Sequence, residues 1–172
     1  GAATWYAGDH AIKFGFDHED NDVFNYYGRD VNGAYEFDSI ADFENNNPSR
    51  YQVRAPRPGG SYADIPAAYN FQNTGVFIQD DWAVNYNLSL MFGVRVDMPE
   101  FGDSPIYNAR IEEIYGYDNT VTADKELVQP RFGFNYTFDS ERPTQLRGGV
   151  GLFQGGNPNV WLAGPFQNTG LN

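Results

Sequence analysis

From Leu88 to Asp97 the chain alternates without a break, with Leu88, Leu90, Phe92, Val94 and Val96 on one side and Ser89, Met91, Gly93, Arg95 and Asp97 on the other. A period of two is the mark of a β-strand with one apolar and one polar face. The preceding stretch alternates in phase through Val76, Ile78, Trp82 and Val84, with Asp80 as the exception. Asn85-Tyr86-Asn87 then reads as a three-residue hairpin loop, with Asn87 expected in the left-handed conformation that such loops want at their last position. This loop sets Val84 opposite Leu88, Trp82 opposite Leu90, Ile78 opposite Val94 and Val76 opposite Val96. A two-residue loop would slip the register by one and mix the faces.

The same design recurs twice. In 2–17, Gly8-Asp9 fits a two-residue turn of the II′ kind and places Trp5 opposite Ile12 and Ala3 opposite Phe14. In 129–153, Phe132, Phe134, Tyr136 and Phe138 alternate with Arg131, Gly133, Asn135 and Thr137. Beyond the tight segment 139–143, matching Phe138 to Thr144 sets Tyr136 across from Leu146 and Phe134 across from Gly148, an aromatic covering a glycine. Hairpins at about 2–17, 73–98 and 129–153 are thus separated by long polar loops, 18–70 and 99–127, and followed by a loop-like tail, 154–172. Within the loops, 23–28 and 33–39 read as short strands and 39–46 as a helical turn. A short helix over 110–117 is expected to end at Gly116, and the RAPRPGG stretch 54–60 excludes regular structure.

Composition narrows the class. The 172 residues carry a formal charge of -12 with pI near 4.3, which argues against a nucleic-acid partner. No cysteine is present, and no run of 18 apolar residues could form a transmembrane helix. With 14 Phe, 12 Tyr, 3 Trp and 19 Gly, the chain reads as all-β. Tight turns at one end and long loops at the other fit antiparallel hairpins of a transmembrane β-barrel wall with long extracellular loops and an aromatic belt including Trp5 and Trp82. The rival is a soluble all-β module that binds carbohydrate or peptide through aromatic loops. The two differ in where the face Leu88-Leu90-Phe92-Val94-Val96 goes: a soluble module buries it between two sheets, whereas a barrel leaves it to lipid.

The stretch VFIQDDWAVNYNLSLMFGVRVDMP resembles the strand pair of TonB-dependent outer-membrane receptors through Phe77, Gln79, Asp80, Trp82, Leu88, Leu90, Gly93, Arg95 and Asp97. GDHAIKFGFDHE, YEFDSIADFENNNPSRY, VQPRFGFNYTFD and LRGGVGLFQGGNPNVWLAGPFQNTG are similar to the large Oar-type branch of that family. The resemblance implies a 22-stranded barrel filled by a plug, in the outer membrane of a Gram-negative bacterium. Such a receptor carries substrate inward, or serves export-linked transport, with energy from the TonB complex. About six strands cannot enclose such a lumen. The expectation is a segment of the wall, whose partners are outer-membrane lipid, the remainder of the barrel and the plug, and the TonB complex through parts absent from this sequence.

Candidate chemistry is sparse. His10 and His18 lie among Asp9, Asp17, Glu19, Asp20 and Asp22; the spacing matches no EF-hand, and a solvated loop is the expectation, with Asp17, Glu19, Asp20 and Asp22 as a calcium candidate. Asp80 and Asp81 point to opposite faces of a strand and so do not share a site; partnering with Arg95 or lying near the interface is the expectation for them. Arg95, Arg131 and Arg147 are expected to face the lumen; for Arg131 and Arg147 the readings are contact with a substrate and, the simpler one, pairing with acids of a plug or of neighbouring strands. Among the loop aromatics, which also include Tyr51, Tyr69 and Tyr107, Tyr26, Tyr27, Tyr35, Tyr62, Tyr115 and Tyr117 are the candidate ligand surface; ordinary loop packing is the simpler reading. No serine sits in a Gly-x-Ser-x-Gly elbow, and the glycines of 148–157 open no helix. No enzyme and no cofactor are expected.

Overall fold

The computed structural model describes residues 1–56, 58–122 and 124–171, so single positions within 54–60, 99–127 and the tail lie outside the described residues. In chain order the strands are β1 (Ala2–Ala7), β2 (His10–Asn25), β3 (Ala34–Glu36), β4 (Arg50–Gln52), β5 (Ala67–Ala83), β6 (Leu88–Phe101), β7 (Leu127–Phe138) and β8 (Thr144–Gly151). The helices are α1 (Ile40–Glu44), α2 (Ala109–Tyr115) and α3 (Asn159–Gln167). Six strands form one antiparallel sheet in the order β1-β2-β5-β6-β7-β8, and β3 pairs with β4. The large sheet is not closed: β1 and β8 are its edges. The chain divides into two compact units, one of Gly1–Asn21, Asn70–Gly102 and Thr122–Asn157, the other of Asp22–Tyr69, Asp103–Val121 and Pro158–Asn172.

The first unit holds the three hairpins, in the registers that alternation dictates. Trp5 pairs with Ile12 and Ala3 with Phe14 across a turn in which Gly8 has φ 60° and Asp9 stays at negative φ, as a II′ turn requires. Trp82 faces Leu90, Ile78 faces Val94 and Val76 faces Val96, and Phe134 faces Gly148. The expected left-handed Asn87 is corrected. Among the described residues the positive-φ residues other than glycine are Asp30 and Asn46, and the loop closes through the Asn85 side chain instead. Asn85 Oδ1 accepts from the backbone N–H of Asn87 (2.9 Å) and Leu88 (3.0 Å). An Asx turn of this kind relieves the need for positive φ.

The strands outrun the hairpins read from the pattern: β2 continues to Asn25, β5 begins at Ala67, β6 ends at Phe101 and β7 begins at Leu127. Residues 18–22 and 67–70 are therefore strand and not loop, and 23–25, read as part of a separate short strand, continue β2. His18 and Asp20 were hidden by their polarity, since a strand polar on both faces shows no alternation of hydrophobicity. Their cross-strand partners hold them: His18 Nδ1 meets Thr74 Oγ1 at 2.9 Å, and Asp20 accepts from Asn70 at 2.7 Å.

In the second unit, α1 is capped by Ser39, whose hydroxyl accepts from the Asp42 N–H at 3.1 Å. α2 starts at Asn108 and ends on Gly116 at φ 74°, the expected left-handed stop. β3 and β4 bring Tyr35 opposite Tyr51. The loop-like tail is corrected, because Asn159–Gln167 is helical despite Pro165 inside it. Tertiary packing overrides the proline's cost: Ala163 is fully buried, Phe166 stacks on Tyr69 with centroids 4.6 Å apart, and Gln167 donates to the Asn25 carbonyl at 2.9 Å. Tyr69, read as a loop aromatic, is buried in β5 beside Ile65 and Ala67 and forms part of the unit's small apolar core.

Candidate functional site

In the sheet unit, burial is inverted relative to a water-soluble protein. Its buried residues include the polar Asn73, Asp97 and Gln129, whereas Ile78 is 50% exposed and Val150 73% exposed. Phe14, Phe16, Val76, Phe92, Val128 and Leu146 on the same apolar face are also exposed. Within the sheet unit no second sheet packs on this face among the described residues, so it has the character of a wall that meets hydrocarbon. Among the described residues no helix is long and apolar enough to cross a membrane, which is silent on strands.

On the opposite face, Arg95 from β6 lies across β5 and grips two carboxylates. Its Nη1 and Nη2 donate to Asp17 Oδ2 and Oδ1, each at 2.7 Å, a two-pronged contact with β2. Its Nε donates to Asp97 Oδ2 at 2.9 Å and its Nη2 to Asp97 Oδ1 at 2.6 Å. Asp97, 2% exposed, also accepts from Asn73 Nδ2 at 3.1 Å and from Gln129 Nε2. Gln129 Oε1 in turn accepts from the Gln154 N–H at 2.7 Å. The guanidinium lies 6.0 Å from the centroid of the Phe77 ring. One charged network therefore ties β2, β5, β6 and β7 together, with the buried carboxylate fully compensated, as burial of charge demands.

Small residues make room for it. A Cβ on Gly15 would come within 2.9 Å of the Phe77 ring, and one on Gly93 within 3.0 Å of the Arg131 side chain. These glycines alternate onto the polar face, where long side chains lie flat over their neighbours.

The sequence candidates distribute as follows. Arg95 is engaged with Asp17 and Asp97, which corrects the first of the two expectations, a pairing of Arg95 with Asp80. Asp80 Oδ2 instead accepts from His10 Nδ1 at 2.7 Å on the apolar face, and the His10 ring stacks on Trp82 with centroids 5.2 Å apart. His10 and His18 are thus strand residues, not members of a solvated loop. Arg131 lies 5.5 Å from the Phe153 ring, and among the described residues neither Arg131 nor Arg147 forms an ion pair. The acids of the calcium candidate are spread along β2. Asp17 serves Arg95, Glu19 accepts from Asn21 and Asp20 from Asn70, while Asp22 belongs to the other unit. Among the described residues no three metal-binding side chains converge.

Tyr26, Tyr27, Tyr35, Tyr62, Tyr115 and Tyr117 all belong to the second unit and all are exposed. Tyr35 packs on Tyr51 at 4.5 Å and Tyr115 on Tyr117 at 6.1 Å, as local pairs. There Asp118 is held below the usual carboxylate range by the backbone N–H and hydroxyl of Thr120.

Sequence reasoning missed the Asn73–Asp97–Gln129 network and the His10–Asp80 pair. A signal existed for the first. Register sets Gly75 opposite Asp97 and Arg95 opposite Gln129, so all of them share the polar face.

No curated protein and no solved structure matches this chain. Residues 1–171 match the family model described as the outer membrane beta barrel domain. With an exposed apolar face and a charged network on the other, the chain belongs to the outer membrane beta barrel domain family and resides in the outer membrane of a Gram-negative bacterium.

Proposed function

We propose that the chain is part of the barrel wall of a TonB-dependent receptor of the Oar-like branch, taking part in substrate uptake or export-linked transport and in no catalytic step. The resemblance of Phe77–Asp97 to the family's strand pair motivates the reading. The observation that carries it is the free positive charge on the inner face: Arg131 and Arg147 have no acidic partner among the described residues, while every acid near Arg95 is taken. A plug inside the barrel would supply that partner, and the TonB complex would act through that plug. The apolar face, left uncovered, disfavours the soluble carbohydrate- or peptide-binding module.

The test is site-specific photo-crosslinking from position 131 or 147 in the intact outer-membrane protein. An intrachain crosslink to an amino-terminal plug segment supports the reading. An open-pore conductance with no such crosslink removes it.

A further inference from the structure

The second unit is acidic, with eleven Asp or Glu against five Arg. Against that background, two of its arginines, Arg29 and Arg54, line one cavity of about 370 Å³. Its size falls within the range of small-molecule sites, about 300–1,000 Å³. Asp30 is the one acid among the lining residues, with its carboxylate 3.4 Å from Arg29 Nε.

The cavity is built by backbone as well as side chains. Asp30 adopts φ 58°, in the left-handed region, and its carbonyl accepts from the N–H groups of Gly33 (3.0 Å) and Arg54 (3.1 Å). That contact brings the β4 exit beside Arg29. Arg54 Nη2 donates to Asn168 Oδ1 at 2.9 Å, which aims its guanidinium along the cavity wall and leaves its other N–H groups for a ligand. Gln167 is held by the Asn25 carbonyl, and Tyr27 and Gln52 complete the lining.

We propose that this cavity binds a small carboxylate with a polar body. Two guanidiniums less one carboxylate leave a single positive charge, which one carboxylate neutralises. A phosphate dianion would over-neutralise it beside Asp30. Guanidinium forks match carboxylate geometry, and the amides of Gln52 and Asn168 suit the hydroxyls or peptide groups of the ligand's body. The carboxylate could come from a peptide C-terminus or from a uronic acid. The site does not depend on TonB, so its test and that of the receptor reading fail separately.

Calorimetric titration of the purified protein in detergent micelles decides it, using triglycine, triglycine amide, galacturonate, galactose and inorganic phosphate. Triglycine or galacturonate is expected to bind, at least tenfold tighter than its neutral counterpart and tighter than phosphate; which one binds identifies the source. Arg54→Gln and Arg29→Gln are each expected to weaken binding about tenfold, the loss of one charged hydrogen bond. Arg50→Gln, outside the cavity, is expected to leave it unchanged. Should Arg54→Gln fail to fold for want of the Asn168 contact, Arg29→Gln decides alone, because its side chain is 71% exposed. Equal binding of the neutral counterparts, phosphate binding as tight as carboxylate, an unaffected Arg29→Gln variant, or no carboxylate bound at millimolar concentration overturns the proposal.

Discussion

A Cβ on Gly75 would stand 1.9 Å from Nη2 of Arg95 and 2.8 Å from Asp97 Oδ1. The glycine in β5 is therefore the groove through which the guanidinium of β6 reaches Asp17 on β2. Arg95 cannot retreat without releasing a carboxylate on one side or the other.

Gly75→Ala is accordingly expected to lower stability by about 2 kcal/mol, the scale of a lost charge-assisted hydrogen bond. Gly93→Ala is expected to cost less, since the Cβ there meets the flexible Arg131 stem at 3.0 Å. Urea unfolding of the protein in lipid vesicles ranks the two; equal costs would mean that the Arg95 grip is loose.

Arg95→Leu leaves Asp97 buried without its cation and is expected to cost about 3–5 kcal/mol. Adding Asp97→Asn removes the stranded charge and should return part of that loss, because Asn73 and Gln129 still surround the position. A double-mutant cycle measures the coupling, and additive costs would contradict the network.

Ile78 pairs with Val94 on the apolar face, and Gln79 with Gly93 on the polar face at the same depth. Val94→Lys is expected to cost about 2–4 kcal/mol in a bilayer, and Gln79→Lys far less. Folding yields in vesicles, read by heat-modifiable migration, compare them. A costlier Gln79→Lys would reverse the assignment of the faces.

His10 gives Asp80 its hydrogen bond on the apolar face, and the other oxygen, Asp80 Oδ1, is buried without a partner among the described residues. His10→Phe preserves the ring over Trp82 but strands the carboxylate, with an expected loss of about 1–3 kcal/mol. Asp80→Val in the same background is expected to recover it. Failure to recover would place the role of His10 in its stacking alone.

Asp42 is held below its ordinary value by hydrogen bonds from Ser39, then from Asn47. A depressed carboxylate contributes stability above its unfolded pKa of about 3.9, and the contribution disappears as pH falls through the folded pKa. Amide protection factors at Asn45 and Asn47, taken against the intrinsic exchange rate at each pH, are expected to fall below about pH 4, and Asp42→Asn to remove that dependence.

The hairpins, their registers and the identity of each face were legible in the sequence. Alternation and turn chemistry are local, and one residue of slip would have exchanged every side chain between the faces, as with Trp82 and Leu90 or Phe134 and Gly148. So were α1 and α2, through Ser39 and Gly116. Tertiary structure decided the rest. The polar ends of β2 and β5 became strand because His18 and Asp20 found partners more than 50 positions away or at that distance. Asn159–Gln167 became helix in spite of Pro165 because Tyr69 and the Asn25 carbonyl received its buried side. Arg95 chose Asp17 over Asp80 because only Asp17 shares its face, across a glycine that leaves the way open. Contacts of this kind join residues distant in the chain, and a charged side chain takes the partner that folding brings to it.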